Sequence, residues 1–187
     1  MRSQGPTVAL YGGSFDPPHI AHEAIVKALR EKEFIDEVVV MPTFLNPFKS
    51  QSFADASVRL AWLREIFSEY NDVIVSSFEV DAAKKMPTIE SVQHLLKKYT
   101  KVYLVIGADN LQSLSSWYKY EQLKELVTFI VVSRDSIEIP KEYISIELSK
   151  DISSTELRRQ IELTKIPKKI AQKVEHYYKQ GNKCKSE

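Results

Sequence analysis

Apolar and polar positions along the chain follow two rhythms, and the rhythm keeps switching between them. Short β-branched and apolar runs predict strands at Thr7–Tyr11, Glu37–Met41, Val73–Val80, Val102–Ile106, Phe129–Val132 and Tyr143–Leu148. The run EVVVM has no polar residue after its first, as expected of a strand covered on both faces. Between these runs the apolar residues recur at helical spacing. Ile20, Ala24, Ile25, Ala28 and Leu29 mark a helix over His19–Arg30, and Leu60, Leu63, Ile66 and Phe67 mark one over Ala56–Tyr70. Thr88–Tyr99 and Tyr120–Leu126 read as further helices. Two closing helices are expected at about Thr155–Ile161 and Lys168–Lys179, the second with Ile170, Val174 and Tyr177 on its buried stripe.

Strands separated by helices require right-handed crossovers. The expected fold class is therefore α/β: a Rossmann-like, doubly wound, mostly parallel sheet with helices on both faces. Residues 1–187 read as a single domain ending in a polar tail, 180–187, with no repeat or linker, and SRDSIEIPKEY is the most loop-like interior stretch.

Composition narrows the function classes. Hydrophobic content of 43% and charged content of 27% are ordinary for a globular domain, and a net charge of +1 supplies no field to recruit nucleic acid or a membrane surface. The single cysteine, Cys184, sits in the polar tail, so a disulfide framework and a cysteine metal site are both excluded. No apolar run approaches the ~20 residues of a membrane span and no signal-peptide pattern opens the chain, so a cytoplasmic protein is expected. Homo-oligomerisation is left open.

In such a sheet ligands bind beyond the carboxyl ends of the strands. That places Gly12–His22, Pro42–Lys49, Gly107–Asn110 and Ser133–Arg134 around one crevice. Gly12 and Gly13 permit positive φ and let backbone N–H groups approach an anion closely. A helix N-terminus follows, itself suited to anions. His19 and His22 lie three apart on one face of that helix, so both imidazoles can meet the same phosphate chain. Asp16 fixes this loop or orients a histidine. Taken singly, each feature is common; the ordered set GG-S-F-D-P-x-H-x-x-H is far more specific.

That set resembles the signature of the H-x-G-H nucleotidyltransferases, shared with class I aminoacyl-tRNA synthetases. Ala21 stands where the family usually has glycine, and its methyl group is expected to crowd the adenosine. The later phrase ISSTELRR, Ile152 to Arg159, is a well-capped helix start on its own; it also looks like the I-S-S-T-x-I/L-R motif of nicotinate-nucleotide adenylyltransferases. IGADNLQSLSSWYKYEQL is similar to that family's I-G-x-D-x-L…W-Y-x-Y pattern, MPTIESVQHL to its Y-T-I-x-T-L segment with Pro87 in place of tyrosine, and TFLNPFKS to its N-x-P-P-H-K loop with Phe48 in place of histidine. The motifs come in the family's order from Val8 to about Arg159.

The resemblance implies a nucleotidyltransferase domain that joins ATP to nicotinate mononucleotide, giving nicotinate adenine dinucleotide and pyrophosphate, in NAD biosynthesis. It implies an ATP site of Gly12, Gly13, Ser14, Phe15, His19, His22, Gly107, Asp109, Arg134, Ser153, Ser154, Thr155 and Arg158. His22, His19 and Arg158 carry the catalytic charge stabilisation. Lys49, Thr88, Trp117 and Tyr118 border the mononucleotide. ATP brings Mg²⁺ with it, with no protein metal site and no tightly bound cofactor. Nicotinamide mononucleotide, pantetheine-phosphate and cytidylyl transfer remain alternatives at this stage. A tRNA synthetase-like RNA-binding fragment is a distant one, because the chain has neither a K-M-S-K-S-like loop nor a basic RNA face. His94 and His176 read as structural, and Lys165, Lys168, Lys169, Lys173 and Lys179 as a solvated face.

Overall fold

The computed structural model describes residues 5–133, 139–148 and 152–183, with side chains as far as Gln180. Arg134 and Cys184 lie outside the described residues. Six strands form one sheet: β1 (Thr7–Gly13), β2 (Glu37–Pro42), β3 (Val73–Val75), β4 (Lys101–Gly107), β5 (Val127–Ser133) and β6 (Ile144–Glu147). Their order is β3-β2-β1-β4-β5-β6, and every neighbouring pair is parallel. The helices are α1 (Ile20–Arg30), α2 (Ala56–Ile66), α3 (Phe78–Ala82), α4 (Thr88–Leu95), α5 (Tyr120–Leu126), α6 (Ser154–Arg159) and α7 (Ala171–Lys183).

The strand sequences explain how the sheet is covered. Along β1, Ala9 and Tyr11 enter one apolar cluster while Val8 and Leu10 enter another; β2 divides Val38 and Val40 from Val39 and Met41 in the same way. A period of two thus buries both faces of an uninterrupted apolar run. The first cluster is closed by Ile25 and Leu29 of α1, Trp62 and Leu63 of α2, and Val174 and Tyr178 of α7. Ile89 and Val92 of α4 and Leu123 of α5 close the second. Strand order reverses direction between β1 and β4, so the loops after these two strands diverge and leave the crevice at their carboxyl ends.

Several boundaries differ from the sequence pattern. The expected strand Val73–Val80 ends at Val75. The chain then turns at Ser76-Ser77 into α3, where the Ser77 hydroxyl bonds Asp81 Oδ2 at 2.7 Å, and stops at Ala83 with φ 51°. Apolar Phe78 and Val80 carry the strand period of two into what is a single short helix. A 3-10 helix over Ala108–Ser116 was not expected, and α2 and α4 stop short of Tyr70 and Tyr99. On α7 the fully buried partner of Ile170 and Val174 is Tyr178, at strict spacing of four, and Tyr177 is only half-buried.

Candidate active site

The freedom that the two glycines permit is not used in their φ angles. Among the described residues no glycine has positive φ; β1 runs straight through Gly12 and Gly13, and the left-handed residue of the loop is Phe15, with φ 49°. A left-handed phenylalanine costs on the order of 1 kcal/mol. Burial offsets this: the Phe15 ring packs edge-on to Tyr11 at 5.4 Å and to His22 at 4.9 Å. Phe15 therefore holds the floor of the loop and offers a ligand its backbone alone. At Gly12 a side chain would meet only the Met41 carbonyl oxygen, at 3.9 Å, so nothing in the protein demands glycine there. The missing side chain leaves open space at the strand end.

His19 caps α1 with extended backbone, φ −140° and ψ 170°. Its N–H donates to Nδ1 of His22 at 3.1 Å, and the two imidazoles stack with centroids 3.6 Å apart. Because Nδ1 of His22 accepts, the proton of the neutral ring sits on Nε2, leaving an N–H donor. Both rings are almost wholly enclosed, at 1% and 9% exposure. Ala21 is equally buried and belongs to the first apolar cluster. Its methyl group is packed by the protein itself.

Asp16 fixes the loop. Its carboxylate accepts N–H groups from Phe53 at 2.8 Å and Ala54 at 3.0 Å, together with the hydroxyl of Tyr178. Burial beside that carboxylate drives the Tyr178 phenol far above its ordinary range, so it stays a donor. The Asp16 carbonyl oxygen in turn accepts from Nη1 of Arg158, whose Nη2 reaches Thr155 Oγ1 at 3.1 Å and whose plane lies 4.4 Å over the Phe53 ring. Ser153 caps α6 by accepting the Glu156 N–H at 3.1 Å, and the Ser154 hydroxyl donates to the Pro17 carbonyl at 3.0 Å. Two motifs far apart in the chain thus meet at Asp16-Pro17. Arg159 points elsewhere and is exposed.

Beneath them lies Arg59 of α2, which the sequence pattern did not single out. It is 1% exposed, and its Nε, Nη1 and Nη2 donate to the carbonyls of Ala54 at 3.0 Å, Ser14 at 2.6 Å and Phe44 at 2.9 Å. Burial pulls its pKa down, and the negative charge of Asp16 opposes that pull. A signal existed: Arg59 sits on the face set by Ala56 and Leu63, where an apolar residue belongs.

The remaining expected residues lie at the end of β4 and on the segments that follow β2, β3 and β4. At Gly107 a side chain would come within 2.2 Å of Asp109 Oδ1, so Asp109 can fold back over the end of β4 only above glycine. Trp117 packs on the second cluster, half-buried, and its buried Nε1–H has no hydrogen-bond partner among the described residues. Tyr118 is 60% exposed. Thr88 is the first residue of α4, with Pro87 as its N-cap. Lys49 is exposed on the loop after β2, and Lys85 Nζ donates to the Pro47 carbonyl at 3.3 Å, drawing the segment before Thr88 towards that loop.

The cytidylyltransferase-like family model matches residues 10–160. A Sulfurimonas denitrificans protein named "Probable nicotinate-nucleotide adenylyltransferase" is 55% identical over 97% of this chain and 99% of its own length. The chain belongs to the nicotinate-nucleotide adenylyltransferase family. A Campylobacter fetus member of the same name is 44% identical over 94% of this chain and 98% of its own. Among solved structures, a Plasmodium falciparum nicotinic acid mononucleotide adenylyltransferase complexed with NaAD is 23% identical with a TM-score of 0.68, covering 82% of this chain and 83% of that one. A second structure of that protein, complexed with APC, covers 95% and 96% at 20% identity and the same TM-score. At such identities the likeness establishes a shared adenylyltransferase fold.

Proposed function

We propose that this crevice performs the family's reaction, adenylyl transfer from ATP to nicotinate mononucleotide, with the residue roles that follow. A phosphate oxygen of the mononucleotide attacks the α-phosphorus of ATP, the bond from that phosphorus to the bridging oxygen breaks, and pyrophosphate leaves. The nucleophile is already anionic, so the site needs alignment and charge stabilisation, and no strong base. Nε2–H of His22 donates to the α-phosphate, and His19, stacked on it, contacts the neighbouring phosphates. Arg158 restrains the departing pyrophosphate with its planar fork, beside the hydroxyls of Ser153, Ser154 and Thr155. Gly12, Gly13 and Ser14 leave room and backbone for the nucleotide, with Gly107 and Asp109 at its adenosine end. Mg²⁺ enters with ATP. In this reading its ligands are mainly phosphate oxygens and water, with few or no direct protein ligands, as is common for this ion.

One observation carries the reading: α6 docks onto the histidine loop, with Arg158 and Ser154 bonded to the carbonyls of Asp16 and Pro17. That contact supports a single phosphate site built from the two segments.

Lys49, Thr88, Trp117 and Tyr118 border the mononucleotide. Acid is preferred over amide because a carboxylate suits the free N–H groups and dipole at the start of α4, each worth roughly 0.3–1 kcal/mol. Discrimination of about tenfold, roughly 1.4 kcal/mol, is within that reach. The test is pyrophosphate release with Mg-ATP and nicotinate mononucleotide, nicotinamide mononucleotide or 4′-phosphopantetheine offered separately. The first is expected to turn over at least tenfold faster than the second. Equal turnover of those two removes the argument from Thr88, and turnover of the third alone overturns the substrate.

A further inference from the structure

We infer that Arg59 is a positioning residue that aligns the ATP half of the crevice with the mononucleotide half, although it touches neither substrate. Its three donors end on three separate segments. Nη1 holds the carbonyl of Ser14 in the histidine loop, Nη2 that of Phe44 in the loop carrying Lys49, and Nε that of Ala54 in the turn whose N–H groups bind Asp16. The loop after β1 presents the phosphate-binding histidines, and the loop after β2 presents the mononucleotide contacts. The two loops are also joined from the Thr43 N–H to the Gly13 carbonyl at 2.9 Å, immediately at the strand ends, and from the Phe53 and Ala54 N–H groups to Asp16. These last two bonds end on a carboxylate side chain and not on a carbonyl of the phosphate-binding turn.

Chemistry favours this role over plain core filling. A buried cation is costly, and an apolar side chain of similar volume commonly serves a core as well or better. Arg59 stands on the apolar face of α2, in line with Ala56 and Leu63, where such a side chain would fit. Three carbonyls in three directions need a planar fork of five N–H donors; an ammonium on a single stem cannot meet them together. In-line displacement is intolerant of misplacement, and an offset of about 1 Å between reactants is enough to cost about 10²-fold. A clamp between the two loops therefore acts on the chemical step. Each substrate keeps its own contacts on its own half.

The inference rests on the residue roles proposed above, and its test separates the two. The full-length chain, Arg59→Met and Arg59→Lys are compared for kcat, KM for ATP and KM for nicotinate mononucleotide, with folding checked by circular dichroism at the assay temperature. Arg59→Met is expected to lose tenfold or more in kcat per folded molecule while both KM values stay within about threefold. Arg59→Lys is expected to fall between it and the wild type. A folded Arg59→Lys protein with wild-type kcat overturns the inference even where Arg59→Met does not fold. So does a loss that appears wholly as a raised KM for one substrate. An inactive wild-type chain would instead fault the substrate assignment.

Discussion

At the scale of single residues the chemistry is concentrated in His22. Its Nδ1 is occupied by the His19 N–H, which dictates the tautomer and leaves Nε2–H as the donor. His22→Ala should cut kcat by about 10²-fold or more, the usual loss for a donor to developing transition-state charge, with KM for ATP changing far less. Steady-state kinetics within about threefold of wild type would remove His22 from the mechanism. Spacing alone put His19 and His22 side by side, whereas the meeting of Ser154 and Arg158 with their loop was foreseen only through the family resemblance, because on its own ISSTELRR reads as a capped helix start. Phe15 was legible only in part. The motif marks its position, yet its positive φ and inward ring depend on packing against Tyr11 and His22, which no local pattern encodes. Arg59 and Tyr178 stand outside any motif. Each matters through a partner far along the chain, and only a charged or hydroxylated side chain on an apolar face hints at it.

At the scale of elements, the strand-to-helix change after Val75 buries a carboxyl group that a continuing strand would have placed differently. Glu79 of α3 is 6% exposed and accepts the Ser91 hydroxyl of α4 at 2.6 Å. Burial raises its pKa from 4.5 to about 7, the Ser91 bond opposes the rise and the charge of Glu90 adds to it. Lys84, the nearby cation, is engaged with Glu90 at 3.1 Å. A raised carboxyl pKa means that the folded state holds its proton more tightly than the unfolded chain. This contribution is therefore fully present below about pH 4.5 and is lost as pH rises through about 7, a swing on the order of 3 kcal/mol. Glu79→Gln stays neutral throughout. Urea unfolding should show the variant near wild-type stability at about pH 5 and more stable by about 1 kcal/mol or more at about pH 8. Parallel stability curves from pH 5 to 8 would mean that Glu79 is not held protonated. The apolar spacing of residues 73–80 could not announce this, because Phe78 and Val80 alternate with Glu79 as strand residues do.

Over the whole molecule, the alternation of strand and helix was enough to foresee a parallel doubly wound sheet and a crevice at its carboxyl edge. What alternation cannot encode is how the last helix closes the structure. Beyond the apolar packing of Val174 and Tyr178, two kinds of polar contact tie α7 and the turn before it to the rest. Lys173 pairs with Glu65 of α2 at 2.6 Å and Lys169 with Glu69 at 3.2 Å, while Tyr178 reaches across 162 positions to the Asp16 carboxylate beneath the phosphate loop. The ion pairs are open to water; Lys173 keeps 61% of its side-chain surface. Such pairs contribute about 0–1 kcal/mol. The phenol bond is enclosed and has an ionic acceptor, a class worth about 1.5–3 kcal/mol, and its loss leaves a buried carboxylate with two backbone donors in place of three. Tyr178→Phe keeps the ring and its packing, so it removes the bond alone. It should lower urea stability by about 1.5–3 kcal/mol with an unchanged denaturant slope, whereas Lys173→Met should cost less than about 1 kcal/mol. If the lysine variant proved the more damaging, α7 would be held by its charged surface, and the phosphate loop would not depend on the end of the chain.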